Sequence, residues 1–132
     1  MQRKMIKSPW FLLIPRKRLP PKKYAMSMNN YRNSHHRVNA QAKRIYTQSM
    51  EPQLKKLPSF EKISLVFTLF PPTKRRLDLD NHGAIHAKYF QDSLVTYGVI
   101  KDDDYKFVVE VIFRFGKVCK TNPRVDIEIR EE

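Results

Sequence analysis

Ile63-Ser64-Leu65-Val66-Phe67-Thr68-Leu69-Phe70 (ISLVFTLF) runs through Pro71-Pro72-Thr73 into Lys74-Arg75-Arg76-Leu77-Asp78-Leu79-Asp80-Asn81 (KRRLDLDN). Ile63, Leu65, Phe67 and Leu69 alternate with Ser64, Val66, Thr68 and Phe70, and aromatic and β-branched side chains are frequent. This spacing predicts a strand, which the two prolines end. The second part sets three cations before two carboxylates one residue apart. Beyond it, Ile85, Tyr89, Ser93 or Leu94, and Tyr97 recur at helical spacing up to Gly98, which suits the left-handed position just past a helix end. The helix is expected to begin near Asn81 to Ala84.

The same reading extends outward. Phe107, Val109, Val111, Phe113 and Phe115 form one period-two run, and Val125, Ile127 and Ile129 another, which predicts two strands joined as a hairpin through Gly116 to Pro123. Upstream, Ala42, Ile45, Tyr46, Ser49 and Met50 make a helical stripe from about Asn39, closed by Pro52. Trp10 to Ile14 reads as a buried strand, and residues 15–33, rich in Pro, Lys, Arg, Asn and Ser, as a long basic loop. The expected fold is α+β in the order β-α-β-α-β-β: one domain, 1–132, with a small mixed sheet of about four strands under two main helices.

The 132 residues include 26 Lys or Arg and 13 Asp or Glu, a formal charge of +13. Residues 1–60 hold 14 of the cations and a single acid, Glu51, whereas residues 61–132 hold 12 of each sign. The polyanion footprint therefore belongs to the first half, with Lys22, Lys23, Arg32, Arg37, Lys43 and Arg44 as candidate DNA contacts. The run Trp10 to Ile14 is too short for a membrane span and is followed by charge rather than by a small-residue cleavage site. Lone Cys119 excludes an internal disulfide and fits a reducing cytoplasm.

If Leu77 to Asp80 is extended, Leu77 and Leu79 face inward while Asp78 and Asp80 project together. Two carboxylates on one face repel unless a cation sits between them, and hard oxygen ligands suit Mg²⁺, with Mn²⁺ as a substitute. A chain returning along the helix is expected to bring Asp103, from Asp102-Asp103-Asp104, beside the first pair. Three carboxylates would then hold metal against a scissile phosphate, with Arg75, Arg76 and Lys88 neutralising charge. Either acid cluster alone reads as a polar turn; the combination carries the catalytic reading. The competing reading is a non-catalytic DNA- or RNA-binding protein in which Tyr24, Tyr31 and Tyr46 stack on bases.

Leu77-Asp78-Leu79-Asp80-Asn81, Lys88-Tyr89-Phe90-Gln91-Asp92-Ser93-Leu94 and Gly98-Val99-Ile100-Lys101-Asp102-Asp103, in this order and spacing, resemble the RusA family of Holliday-junction resolvases. Ser27 to Arg37 (SMNNYRNSHHR) is similar to that family's basic Asn-Tyr-Arg segment. The resemblance implies that Asp78, Asp80 and Asp103 are metal-binding catalytic carboxylates and Lys88 a catalytic or phosphate-contacting lysine. Asn81 and Asp102 would support them. It also implies a homodimer, without a small-molecule cofactor, that uses magnesium to place paired nicks in four-way DNA junctions. Leu77 stands where some relatives carry Arg, and the span from Asn81 to Lys88 is longer than in some members, with His82 and Gly83 expected as an irregular helix start. Val66, Phe70, Val108 and Ile112 are the expected dimer surface.

Overall fold

The computed structural model describes residues 2–132. Its elements are β1 (Arg3–Pro9), β2 (Phe11–Ile14), β3 (Lys22–Ala25), α1 (Met28–Asn33), α2 (His36–Leu54), β4 (Ile63–Phe70), α3 (Leu79–Thr96), β5 (Val108–Phe115) and β6 (Arg124–Glu131). The main sheet has the order β1-β6-β4-β5, and β2 and β3 form a separate two-stranded sheet. The α+β class and the mixed sheet under two main helices are as the sequence predicts.

Strand β4 is buried on both faces over most of its length, and such a strand belongs inside a sheet rather than at its edge. It lies between β5, to which it is parallel, and β6, to which it is antiparallel. The expected β5–β6 hairpin is therefore incorrect. Alternation identified both strands, but it carries no information on which neighbour each takes. Because α3 carries the chain back along the sheet, β5 starts level with the start of β4: Ile63 pairs with Val108 and Leu69 with Phe115.

On the helix-covered face, Leu65, Phe67 and Leu69 stand beside Ile129, Ile127 and Val125 of β6, all fully buried. Ala42, Tyr46, Met50 and Leu54 of α2, spaced one turn apart, join Ile85, Tyr89, Phe90 and Leu94 of α3 above them. Helix α2 starts earlier than expected, capped by the His35 Nδ1, which accepts from the Arg37 N–H at 3.1 Å. It also continues past Pro52, closing with the Lys55 N–H donating to the Glu51 carbonyl. Its last turn is tied to β1: the Lys7 N–H donates to Gln53 Oε1 at 2.9 Å, and Gln53 Nε2 donates to the Lys7 carbonyl at 2.7 Å.

Residues 15–33 are not a loop throughout, since β3 and α1 lie within them. Their composition hides two anchors, Tyr24 and Met26, 3% and 1% exposed. Tyr24 Oη donates to Asn39 Oδ1 at 2.6 Å and lies 2.9 Å from Tyr89 Oη, fastening the β2–β3 hairpin to both long helices. The surface expected for a partner is also different: Val66 and Val108 are buried within the chain, and the Arg124 guanidinium covers the Phe70 ring at 4.2 Å.

Candidate functional site

The acidic pair sits at the start of α3, which begins at Leu79 rather than near Asn81 to Ala84. Asp78 is the N-cap residue, with extended backbone at φ −85° and ψ 129°, and Asp80 lies in the first helical turn. The predicted extended alternation of Leu77 to Asp80 is thus replaced by a helix N-terminus, which still presents both carboxylates to solvent. A helix start favours negative charge by roughly 0.3–1 kcal/mol at exposed positions, so the two acids are less costly here than on a strand. The Asp78 side chain makes no capping hydrogen bond, and its oxygens remain available to a ligand.

Helix α1 forms the opposite wall. Met28 and Arg32 face Asp78, Leu79, Asp80, Asn81 and Ala84 across an open cleft of about 610 Å³. Asn81 holds that wall in place, its Oδ1 accepting from the Asn29 N–H at 3.0 Å. Asn81 is thus a link between α1 and α3. Gly83 lies inside the helix instead of forming an irregular start, and a Cβ there would meet the Phe113 ring of β5 at 2.8 Å. Absence of a side chain lets this turn of α3 lie directly on the sheet.

Lys88 is exposed about two turns further along α3. It lines a second, smaller cavity with Tyr31, His36, Asn39, Ala40, Lys43 and Tyr89. Helix α1 separates this cavity from the acidic cleft and contributes to both. Lys43 is engaged by Asp92 at 2.9 Å, whereas Lys22, Lys23, Arg32, Arg37 and Arg44 are exposed without ion pairs among the described residues. Arg75 and Arg76 are exposed on the loop before Asp78.

Asp103 lies beyond the other end of α3. The helix has 18 residues, about 27 Å, and the chain turns only at Gly98, whose φ is +72°. Val99 and Ile100 then anchor the return, 1% and 2% exposed, and Asp102 to Asp104 follow on the surface before β5. The expected return of Asp103 to the acidic pair does not occur within one chain, because a strand parallel to β4 must begin at the end of the sheet where β4 begins. Among the described residues no three His, Cys, Asp or Glu side chains converge on a metal position. Desolvation raises the Asp103 pKa above the ordinary carboxylate value, helped by hydrogen bonding with Asp102.

The two histidines that follow the acidic pair are structural. His82 stacks on Trp10 at 5.3 Å, and His86 lies 5.7 Å from the same ring on its inner side. His86 is fully buried with neither ring nitrogen hydrogen-bonded, and burial, reinforced by His82, lowers its pKa to about 3. It is a neutral packing residue under the site.

Residues 16–130 match the protein family described as Endodeoxyribonuclease RusA. The chain belongs to the RusA family. No curated protein matches it significantly. Members of this family are endodeoxyribonucleases that resolve Holliday junctions, and the matched region contains the acidic cleft, Lys88 and Asp103 alike. No described helix is long and apolar enough to cross a membrane.

Proposed function

We propose that this RusA family member is a homodimeric, magnesium-dependent endodeoxyribonuclease that resolves four-way junctions by paired symmetric nicks during recombination and repair. The observation that carries this reading is the uncapped Asp78 beside Asp80 in a cleft whose far wall bears Arg32. A pure phosphate binder gains nothing from two carboxylates aimed at its ligand, which weighs against the non-catalytic alternative.

The donor set suits a hard divalent cation. Magnesium commonly takes one or two protein carboxylates and completes its shell with water and substrate phosphate, and manganese accepts the same oxygens. When bound, such an ion polarises a phosphoryl oxygen and supplies an activated water. Asp78 and Asp80 provide the ligands, and Arg32 holds the approaching phosphodiester from the opposite wall. Arg75 and Arg76 offset the charge that gathers as the bond to the leaving oxygen breaks, and Lys88, in the neighbouring cavity, contacts a phosphate of the same DNA. Lys22, Lys23, Arg37, Lys43 and Arg44 hold the junction arms through their phosphates.

Asp103 stands too far along the chain to serve the same cleft, so its role in the metal site requires a second copy. Each protomer then contributes Asp78 and Asp80 to one site and Asp103 to the other, which couples cleavage to dimerisation and gives matched cuts across a two-fold axis. The setting is the cytoplasm of a bacterial or phage-infected cell.

The test is cleavage of a synthetic four-way junction with magnesium, with manganese and with chelator. Symmetric nicks with ligatable ends are expected with either metal and none with chelator. Junction binding without cleavage at any divalent ion would favour the non-catalytic alternative.

A further inference from the structure

The β2–β3 hairpin stands apart from the main sheet, and its tip is built unlike the rest of the surface. Residues 15–23 are all exposed and consist of five cations, Arg16, Lys17, Arg18, Lys22 and Lys23, three prolines, Pro15, Pro20 and Pro21, and Leu19. Leu19 is 60% exposed. A single exposed leucine is commonplace on a protein surface. This one differs in its surroundings: it lies in the bend of residues 17–19, between Arg18 and two consecutive prolines.

The tip is held from loop to root. Proline fixes φ at three of the seven residues that join Ile14 to Lys22, which pair at the mouth of the loop. Arg16 Nε donates to the Pro20 carbonyl at 2.8 Å and closes the loop across its neck, while the terminal nitrogens of the guanidinium stay available to a phosphate. At the root, Leu12, Ile14 and Tyr24 are buried in the core. Asn30 Nδ2 donates to the Ala25 carbonyl at 2.8 Å, tying β3 to α1, the element that walls the acidic cleft.

Residues 1–50 contain no Asp or Glu, so the charge of the tip selects a polyanion. A loop that only tracks phosphates needs the cations and the bend, and gains nothing from a leucine at that bend. An apolar side chain set among phosphate-binding cations on a stiff support is instead the equipment that parts two stacked bases.

We infer that residues 15–21 are a wedge: Leu19 enters the base stack at the crossover of a four-way junction, with Lys17 and Arg18 on the flanking phosphates. Unstacking costs least where pairing is already interrupted, and the crossover is such a place. This rests on the junction reading above and deepens it, by naming a residue that distinguishes branched from linear DNA. Strand β3, four residues and about 13 Å long, separates the loop from α1, so the opened step and the cut phosphate lie on the order of four base-pair steps apart.

The test uses the full chain, with chelator present, and a synthetic four-way junction carrying the fluorescent adenine analogue aminopurine at the crossover, which brightens when its base leaves the stack. Saturating wild type should raise the emission several-fold, and a linear duplex with the same label should show little rise. Leu19→Ser should lose most of the rise, and Leu19→Met should keep it. Lys17→Gln and Arg18→Gln should each lower the slope of log affinity against log salt by about 0.9 for every phosphate the side chain neutralises, a slope that Leu19→Ser leaves unchanged. Thermal melts confirm folding of each variant. No rise with wild type, an equal rise on the linear duplex, or a full rise with saturating Leu19→Ser would each overturn the proposal. Leu19-dependent opening of a junction that is never cut on adding magnesium would refute the functional reading and leave the wedge standing; cutting without opening would do the reverse.

Discussion

The two ends of helix α3 carry acidic clusters of similar composition in unlike surroundings. At the start, Asp78 and Asp80 line a cleft with Arg32 opposite, on a helix N-terminus that favours their charge. Past the end, Asp103 is among like charges, its pKa raised by desolvation and by Asp102. The first cluster faces a cation of its own chain, whereas at the second the acids Asp102 and Asp92 add to the desolvation that raises the Asp103 pKa. A rigid helix thus separates residues that closeness in sequence suggests are together.

The largest expected effect addresses this separation. Asp78→Asn, Asp80→Asn and Asp103→Asn should each reduce junction cleavage by on the order of 10²–10³ while leaving junction binding intact. If the two ends serve one site across copies, mixing Asp78→Asn with Asp103→Asn protein should restore roughly a quarter of wild-type nicking, as one site in each mixed dimer is intact. No recovery on mixing, with both variants dimeric, would place the acids in separate roles.

A second prediction probes the inner side of the same helix turn. His86 has a folded pKa near 3, below its ordinary value of 6.5, so the folded state resists protonation. Its contribution is complete above pH 6.5 and is lost as pH falls toward 3, amounting to ~3 kcal/mol between pH 7 and pH 4. Urea unfolding at pH 7, 5 and 4 should show this decline, and His86→Leu should flatten it. An unchanged slope in that variant would mean other groups set the acid sensitivity.

Lys88 lies between the two ends and tests which of them it serves. Lys88→Ala should lower turnover by roughly 10–100-fold at unchanged melting temperature, as expected when one cation is withdrawn from the reacting phosphate. Normal cutting would confine Lys88 to the neighbouring cavity. The smallest effect concerns the cations around the first end: neutralising Lys22, Lys23 or Arg32 should each lower the slope of log affinity against log salt by about 0.9 for every phosphate the side chain neutralises. Slopes that stay at the wild-type value would shift the DNA path elsewhere.

Periodicity made α2, α3, β4, β5 and β6 legible because each buries a regular stripe or face. Strand β1 was hidden by Arg3, Lys4 and Lys7, with Ile6 and Ser8 its only buried positions. Strand β3 and helix α1 are too short to develop a period, and their anchors Tyr24 and Met26 stand among Pro, Lys and Asn. Asp78 and Asp80 were visible as a pair, but their neighbour Arg32 was assigned only to DNA because nothing local says that α1 folds across them. The direction of Asp103 was illegible for a different reason: it follows from β5 pairing parallel to β4, a long-range choice that alternation does not encode.

Gln53 acts on β1 as a one-residue counterfeit strand, its amide occupying both backbone groups of Lys7. At Lys7 the edge of the main sheet is therefore closed to an added strand. Without that amide the N–H and C=O of Lys7 would stand open to a strand of another chain, so Gln53 guards this side of the sheet against edge-to-edge aggregation.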